Sequence, residues 1–315
     1  MGYRNSFDER KSDRNTDGTV NSNTGTSRYV IVSPVKDEEK YIELTLVSVT
    51  SQTVKPFLWV IVDDGSTDGT AAILERYARR HSFIRVINAR AAGARQLGSA
   101  EAKAFGVGYE SLHGEDYDFI VKLDGDLSFG PDYFERLLAR FDDDTRLGIA
   151  SGVYLEMTAL GNWTPVPMPK YHAFGACKTV RRRCFEQIGG FLTSPGWDTV
   201  DEIRAVTCGW KTQHFNDLQT KHHKPEGSAM GAIPTSVFHG HIFYVTGGDP
   251  LFLLFKMLNR ARTRPYVLGA LALAFGYVRS VVTRRPRLVN AAEARCYQKM
   301  LWRRFLRPLE AGSRG

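Results

Sequence analysis

The chain has 315 residues, 43% of them hydrophobic and 24% charged, and a net charge of +8. That apolar content excludes a disordered protein and suffices for one large domain, or one domain with an appendage. The four cysteines form no close pair with metal-ligand spacing and no N-terminal stretch has the form of a signal peptide, so a reduced, cytosol-facing compartment is expected. The charge is uneven: Pro250 to Gly315 holds 14 Lys/Arg against Glu293 and Glu310, a net of +12, which leaves −4 for residues 1–249. The basic charge therefore belongs to the tail and not to the body.

Residues 1–27 are polar throughout, too poor in apolar side chains to offset the entropy of ordering them, and are expected to form a flexible arm. Met1 to Ser6 matches an N-myristoylation pattern, a loose one. Tyr29 to Ser33 is a strand closed by Pro34, and Asp37-Glu38-Glu39 starts a helix whose apolar face includes Ile42, Leu46 and Val49. A second strand, Phe57 to Val62, runs into Asp63-Asp64-Gly65-Ser66-Thr67-Asp68, where Ser66 or Asp68 caps the next helix. Ile84 to Ile87 makes a third strand and Ala100 to Leu112 a helix. The strand Asp118 to Leu123 then ends in Asp124-Gly125-Asp126. Strand and helix alternating in short order predict an α/β fold, a Rossmann-like, mainly parallel sheet with helices on both faces.

In such sheets ligands sit beyond the carboxyl ends of the strands. Asp37/Glu38, Asp63/Asp64 and Asp124/Asp126 all fall there, so they should gather along one rim. Asp124 and Asp126 are two residues apart, and in an extended chain they point the same way, with Gly125 leaving the backbone between them open to a ligand. Few, hard oxygen ligands suit Mg²⁺ or Mn²⁺ bridging to a phosphorylated substrate. A solvated Asp-Gly-Asp turn and a helix cap over residues 63–66 are the competing readings.

Further on, Pro131 opens an amphipathic helix with Tyr133, Phe134, Leu137 and Leu138, and Gly148 to Tyr154 is another strand. Arg181-Arg182-Arg183 is either a phosphate-neutralising cluster or a solvated basic turn. Asp198, Asp201 and Glu202 are three closely spaced carboxylates before a helix, candidates for a general base or for a dipole-favoured helix start. His222 and His223 follow a strand. Adjacent strand residues diverge, and no third ligand stands at a zinc-like interval. Pro250 to Leu258 and the 13-residue run Tyr266 to Val278 are apolar and flanked by arginines. Both fall short of the roughly 20 residues that span a bilayer, and lying in the headgroup plane of an anionic membrane is the cheaper arrangement. A helical hairpin closing the core, with arginines in solvent, is the alternative.

Pro34 to Glu39, Val62 to Asp68 and Leu123 to Asp126 resemble, in order and spacing, the three leading motifs of inverting family-2 glycosyltransferases with the GT-A fold. The likeness covers about residues 28–245. It implies a catalytic domain over 28–249 with a basic, apolar helical segment over 250–315. It implies that Pro34, Glu38, Asp63 and Asp64 contact the nucleotide, that Asp124 contacts the sugar nucleotide, and that Asp126, with Asp124, holds Mg²⁺ or Mn²⁺. Counting back from Gly209-Trp210 implies Asp198 as base, with Trp197 where the family usually has Glu; Asp201 remains the second candidate. His223 or Lys224 falls where the family touches the leaving diphosphate. The motif likeness implies a UDP- or GDP-sugar donor, and the tail resembles that of bacterial enzymes of surface-polysaccharide assembly, which implies a lipid-linked or glycan acceptor and a peripheral or monotopic site at the cytoplasmic face of the inner membrane. A sugar-phosphate nucleotidyltransferase would need a glycine-rich, Lys/Arg-bearing loop where Ser33 to Asp37 stands. A receiver domain is far shorter, a nucleic-acid binder would use the basic tail, which is not expected here, and an inactive relative would bind nucleotide without transfer.

Overall fold

The structure, a computed structural model, describes residues 27–89, 100–158, 160–224 and 231–311, with side chains to residue 303. The N-myristoylation match and residues 1–26 of the expected arm lie outside the described residues. The first half of the sheet is β1 (Tyr29–Val35), β2 (Leu58–Asp63), β3 (Ile84–Asn88) and β4 (Phe119–Leu123), alternating with α1 (Ile42–Thr50), α2 (Thr70–Arg80) and α3 (Ala100–Glu110). These strands lie side by side in the order β3-β2-β1-β4, all parallel.

The chain then turns back on itself. It continues through β5 (Leu127–Phe129), α4 (Tyr133–Asp143), β6 (Leu147–Met157), β7 (Trp163–Pro165), β8 (Cys177–Arg181), α5 (Arg182–Gln187), α6 (Trp197–Thr207) and β9 (Lys211–His222). β8 runs antiparallel beside β4, β6 antiparallel to β8, and β9 parallel to β6, so parallel order holds for the first half and the second half is mixed. The short strands β5 and β7 are additions to the expected elements. β5 pairs antiparallel with β9, setting Leu127 opposite His222.

Alternation along the strands buries both faces of the sheet. Tyr29, Ile31 and Val35 of β1 face a core shared with α1, α2 and α4, while Val30 and Val32 face the core that Phe105 of α3 and Phe185 of α5 complete. The closing role expected of Pro34 does not hold: β1 runs on to Val35, with Pro34 opposite Val62. β4 pairs with β1 only as far as Val32, so the N–H that proline lacks is not wanted on that side. Nor does a helix start at Asp37, whose φ of 52° is left-handed; α1 begins at Ile42. Residues 37–39 instead bond to the loop after β2, as described below.

Of the two readings of Arg181 to Arg183, phosphate neutralisation would need them beside the acidic loops, and Arg181 does not stand there. Because β8 runs antiparallel to β4, Arg181 lies beside Phe119, at the opposite end of β4 from Asp124. Its guanidinium donates to the carbonyls of Phe141 and Leu147, and Arg182 pairs with Glu186. They brace the end of the sheet opposite the acidic loops.

The C-terminal elements are α7 (Ala232–Val245), α8 (Pro250–Arg260), α9 (Tyr266–Val282) and α10 (Ala291–Ala311). A third core joins Val200 and Ile203 of α6 to Phe243, Leu253, Leu273 and Tyr297 on these helices. Helices α7 and α9 cross with backbones in contact: a Cβ at Gly276 would fall on the carbonyl oxygen of Val237, and one at Gly240 on that of Leu273. Replacing Gly276 by alanine must therefore push the two helices apart. A cost of about 2 kcal/mol is expected, read as a fall of several degrees in Tm for Gly276→Ala; an unchanged Tm would mean that the crossing is looser than described.

Candidate active site

The loops after β1 and β2 are built as one unit. The N–H of Asp37 donates to Ser66 Oγ (3.0 Å), that of Glu38 to Thr70 Oγ1 (2.9 Å) and that of Glu39 to Asp68 Oδ2 (3.1 Å), while the N–H of Thr67 donates back to Asp37 Oδ1 (2.7 Å). These reciprocal bonds explain why neither Ser66 nor Asp68 caps α2 as expected: Ser66 serves Asp37, and Asp68 accepts from the N–H of Thr70 from outside the helix, whose N-cap is Gly69. Asp63 is buried and closes its own turn by accepting from the N–H of Ser66 (2.8 Å). Asp64 is half-buried, and Pro34 is buried within β1.

The third acidic loop joins them. Glu38 and Val35 border Gly125, and the side chain of Glu38 accepts from Lys224 Nζ (2.8 Å) across the rim. Burial raises the Glu38 pKa, with Asp126 and Asp68 adding to it and the Lys224 hydrogen bond opposing. The three acid-bearing loops thus meet at one rim, as the strand order requires.

Asp124 and Asp126 have different partners. Lys122, two residues before Asp124 and on the same side of β4, sets its buried Nζ 2.6 Å from Asp124 Oδ1 and also pairs with Glu101. Burial works against the Lys122 charge, but the two carboxylates outweigh it and raise its pKa. Asp126, 6% exposed, lies with Oδ2 3.4 Å from His222 Nε2. His222 is the last residue of β9, not part of a loop beyond it, and the β5–β9 register delivers it there. His223 points the other way: it shares a 2.8 Å hydrogen bond with Ser128 Oγ and stacks on Tyr41. Burial lowers the His223 pKa, so its imidazole stays uncharged near neutrality, whereas the Glu38 hydrogen bond raises that of Lys224.

A second acidic group stands across the rim, at the start of α6. The N–H of Asp124 donates to the carbonyl of Ala176 (2.8 Å), and a Cβ on the preceding residue, Gly175, would lie 3.9 Å from Asp198 Oδ2. The segment 175–176 therefore links the Asp124 loop to the Asp198 carboxylate, which is half-buried. Asp201 does not share this placement. It is 2% exposed and accepts from the fully buried Lys178 Nζ at 3.0 Å and from the N–H of Glu202 at 2.6 Å. Glu202, also buried, accepts from the N–H of Ala173 (2.7 Å) and pairs with His172. Asp201, the second candidate for the base, thus holds its carboxylate in the interior against Lys178, while that of Asp198 is the more accessible of the two.

Lys178 also donates to the carbonyl oxygen of Asp198 (2.9 Å), which ties the first turn of α6 to β8. Burial disfavours its charge, but Asp201, Glu202 and Asp198 together raise its pKa. Trp197 fills the space between the two buried ammonium groups, its ring 5.3 Å from Lys122 Nζ and 5.2 Å from Lys178 Nζ. Lys122, Lys178 and His222 are the site residues that composition and motif did not single out.

No group of three or more His, Cys, Asp or Glu with metal-holding geometry occurs among the described residues. The donor chemistry nonetheless fits a hard divalent cation. Asp126 lies beside His222, and Asp124, two residues earlier, pairs with Lys122; carboxylate oxygens suit such ions, which usually complete their shell with water and phosphate oxygens.

A parallel sheet half carrying acidic loops at one rim, followed by a mixed half, is a fold of the GT-A type. Residues 30–196, more than half of the chain, match the model of Glycosyl transferase family 2, and the chain belongs to that family. Among curated relatives, EpsH of Bacillus subtilis, which carries the name of a glycosyltransferase, is 35% identical over 37% of this chain and 31% of its own length. The cholesterol galactosyltransferase of Borreliella burgdorferi is 27% identical over 47% of this chain and 40% of its own. The O-antigen biosynthesis protein RfbC of Myxococcus xanthus is 27% identical over 64% and 16%. The chain thus spans less than half the length of these curated relatives. Among solved structures, Staphylococcus aureus TarS residues 1–349 with UDP-GlcNAc has a TM-score of 0.53 at 16% identity, over 81% of this chain and 73% of that one. The mannosyltransferase PcManGT of Pyrobaculum calidifontis with GDP-Man and Mn²⁺ has a TM-score of 0.53 at 16% identity, over 91% and 87%. These likenesses establish the fold.

Removing Lys178 strands a buried carboxylate. Lys178→Met is expected to cost about 3–5 kcal/mol in chemical denaturation, and the double variant Lys178→Met/Asp201→Leu to recover much of it. A single variant as stable as the parent would contradict the buried ion pair.

Proposed function

We propose that this protein is a metal-dependent, inverting glycosyltransferase that moves a sugar from a nucleoside-diphosphate donor to an acceptor hydroxyl. The observation that carries the reading is the convergence of the three acid-bearing loops on one rim, with the Asp198 carboxylate linked to the Asp124 loop through Gly175 and Ala176. Residues 28–249 form the catalytic unit and 250–315 its helical extension. Pro34, Glu38, Asp63 and Asp64 shape the pocket for the base and ribose. Asp63 does so by fixing its turn, which leaves Asp64 as the more accessible acceptor.

A divalent cation, Mg²⁺ or Mn²⁺, when bound, neutralises the diphosphate; Asp126, Asp124 and His222 are the residues that would hold it. Lys122 pairs with Asp124 at the end of its strand and opposes the rise that burial and the neighbouring acids impose on its pKa. Asp198 accepts the proton of the attacking acceptor hydroxyl, and its carboxylate is held in register by the Lys178 bond to its backbone. The acceptor oxygen forms its bond to the anomeric carbon as the bond to the diphosphate breaks on the opposite face, which inverts that centre. Lys224, charged and half-exposed, exchanges Glu38 for phosphate and offsets the negative charge that develops on the leaving group; the uncharged His223 serves it by hydrogen bonding.

The curated relatives favour bacterial cell-surface polysaccharide or glycolipid synthesis as the setting, with a lipid-linked acceptor. The neighbours' ligands favour a UDP- or GDP-sugar donor.

Thermal shifts with UDP- and GDP-sugars, with and without Mn²⁺, test the reading. One donor should raise Tm in a Mn²⁺-dependent way, and Asp126→Ala should abolish the Mn²⁺-dependent part. Asp198→Asn should keep the shift while turnover falls by roughly 10²–10⁴-fold. Stabilisation by no donor, or an Asp198→Asn variant as active as the parent, would overturn the assignment. His222→Ala should raise the Mn²⁺ concentration for half-maximal activity by about 10-fold or more; an unchanged Mn²⁺ dependence would remove His222 from the metal set.

A further inference from the structure

Helices α8 and α9 are two-sided, and the outer side has no covering among the described residues. On α9 the inner residues Ala270, Leu273 and Tyr277 are buried, whereas Leu268, Leu271, Phe275, Val278 and Val282 are each more than half exposed. Their spacing of three and four residues lays them along one face of the helix. Helix α8 repeats the pattern: Phe252 and Leu253 are buried, while Leu251, Leu254 and Leu258 are each more than half exposed. Isolated exposed leucines need no explanation, but two consecutive helices with continuous apolar faces mark an interaction surface.

Charge identifies the partner. Between Pro250 and Ala292 the sequence contains no Asp or Glu. Exposed arginines bracket the apolar face of α9: Arg262 and Arg264 before it, Arg279 near its end, and Arg284, Arg285 and Arg287 after it. A second copy docked face to face would bring these arginines together, whereas an anionic lipid surface offers hydrocarbon to the stripe and negative headgroups to both of its ends. Helix α9 has 17 residues, and no helix among the described residues is long and apolar enough to cross a membrane. Lying in the headgroup plane is the geometry that remains for such a face.

The surface is close to the catalytic rim. The inner side of α9 packs on α7 through the Gly240 and Gly276 crossing, and Ile242 of α7 and Thr246 just after it border Gly196, the residue before Trp197 and Asp198. We propose that the outer face of α8 and α9 seats in the headgroup layer of an anionic leaflet and holds the Asp198 side of the rim over an acceptor displayed in that leaflet. The lipid contact stands on the exposed face alone; the part concerning the acceptor rests on the glycosyltransferase reading.

Co-sedimentation of the full chain with phosphatidylglycerol/phosphatidylethanolamine vesicles, with phosphatidylcholine vesicles as reference, tests it. Binding is expected to the anionic vesicles and to weaken with salt. Arg284→Glu/Arg285→Glu should lower partitioning on the order of 10-fold, and Leu271→Asp/Phe275→Asp should lower it at least as much. The donor-induced thermal shift should be unchanged in both variants. A parent chain that stays in the supernatant with anionic vesicles at low salt overturns the proposal, as do variants that bind like the parent. A parent that is dimeric in solution and made monomeric by Leu271→Asp/Phe275→Asp overturns it in favour of a self-interface. If vesicle binding holds while no donor shifts Tm, the lipid contact stands and the transferase reading falls.

Discussion

Carboxylates crowded at one edge of a sheet repel one another, and the protein is organised around offsetting that repulsion. Glu38 from the end of β1 and Asp124 and Asp126 from the end of β4 approach the same rim. The chain supplies three partial remedies: Lys122 beneath Asp124, Lys224 across from Glu38, and His222 against Asp126. None of them neutralises the whole rim, and Asp126 is left facing an imidazole instead of an ammonium or guanidinium group. A site with this remaining negative charge is suited to a divalent cation and the phosphates it brings.

The same economy of buried charge appears one layer back. Lys178, Asp201 and Glu202 form an interior network that touches no exposed surface, yet Lys178 ends on the carbonyl of Asp198. Two neighbouring acids on α6 thereby acquire different roles. Asp201 fixes the helix to β8, and Asp198, a turn earlier, keeps its carboxylate at the rim. The ring of Trp197 lies within cation–π distance of both buried ammonium groups, and its negative face favours their charge. The helical extension completes the arrangement, since α7 packs at the start of α6 and α9 packs on α7.

Much of this was legible in the sequence because it depends on local rules. Strand ends, acid clusters just beyond them and the alternation of strand with helix place Glu38, Asp63, Asp64, Asp124 and Asp126 on one rim before any coordinates are known. The three-and-four spacing of Leu268, Leu271, Phe275 and Val278 is equally local. What was hidden depends on pairing at long range. His222 gains its meaning only from the register that sets it opposite Leu127, 95 positions earlier in the chain. The location of Arg181 at the far end of β4 follows from β8 running antiparallel to β4, which no short stretch encodes. Asp198 and Asp201 look equivalent in a string of letters; burial and a lysine from another strand separate them. Lys122 could have been found, because a cation two residues before an acid on a strand shares its side.

The claim on which the rest depends is that the rim between β4 and the end of β9 holds a metal-linked nucleoside diphosphate. Crystals grown with Mn²⁺ and UDP or GDP, with data collected at the manganese absorption edge, test it directly. The account predicts an anomalous peak within coordination distance of Asp126, with the diphosphate between that peak and the side chain of Lys224. Manganese elsewhere, or a nucleotide bound away from the loops after β1 and β2, would contradict it.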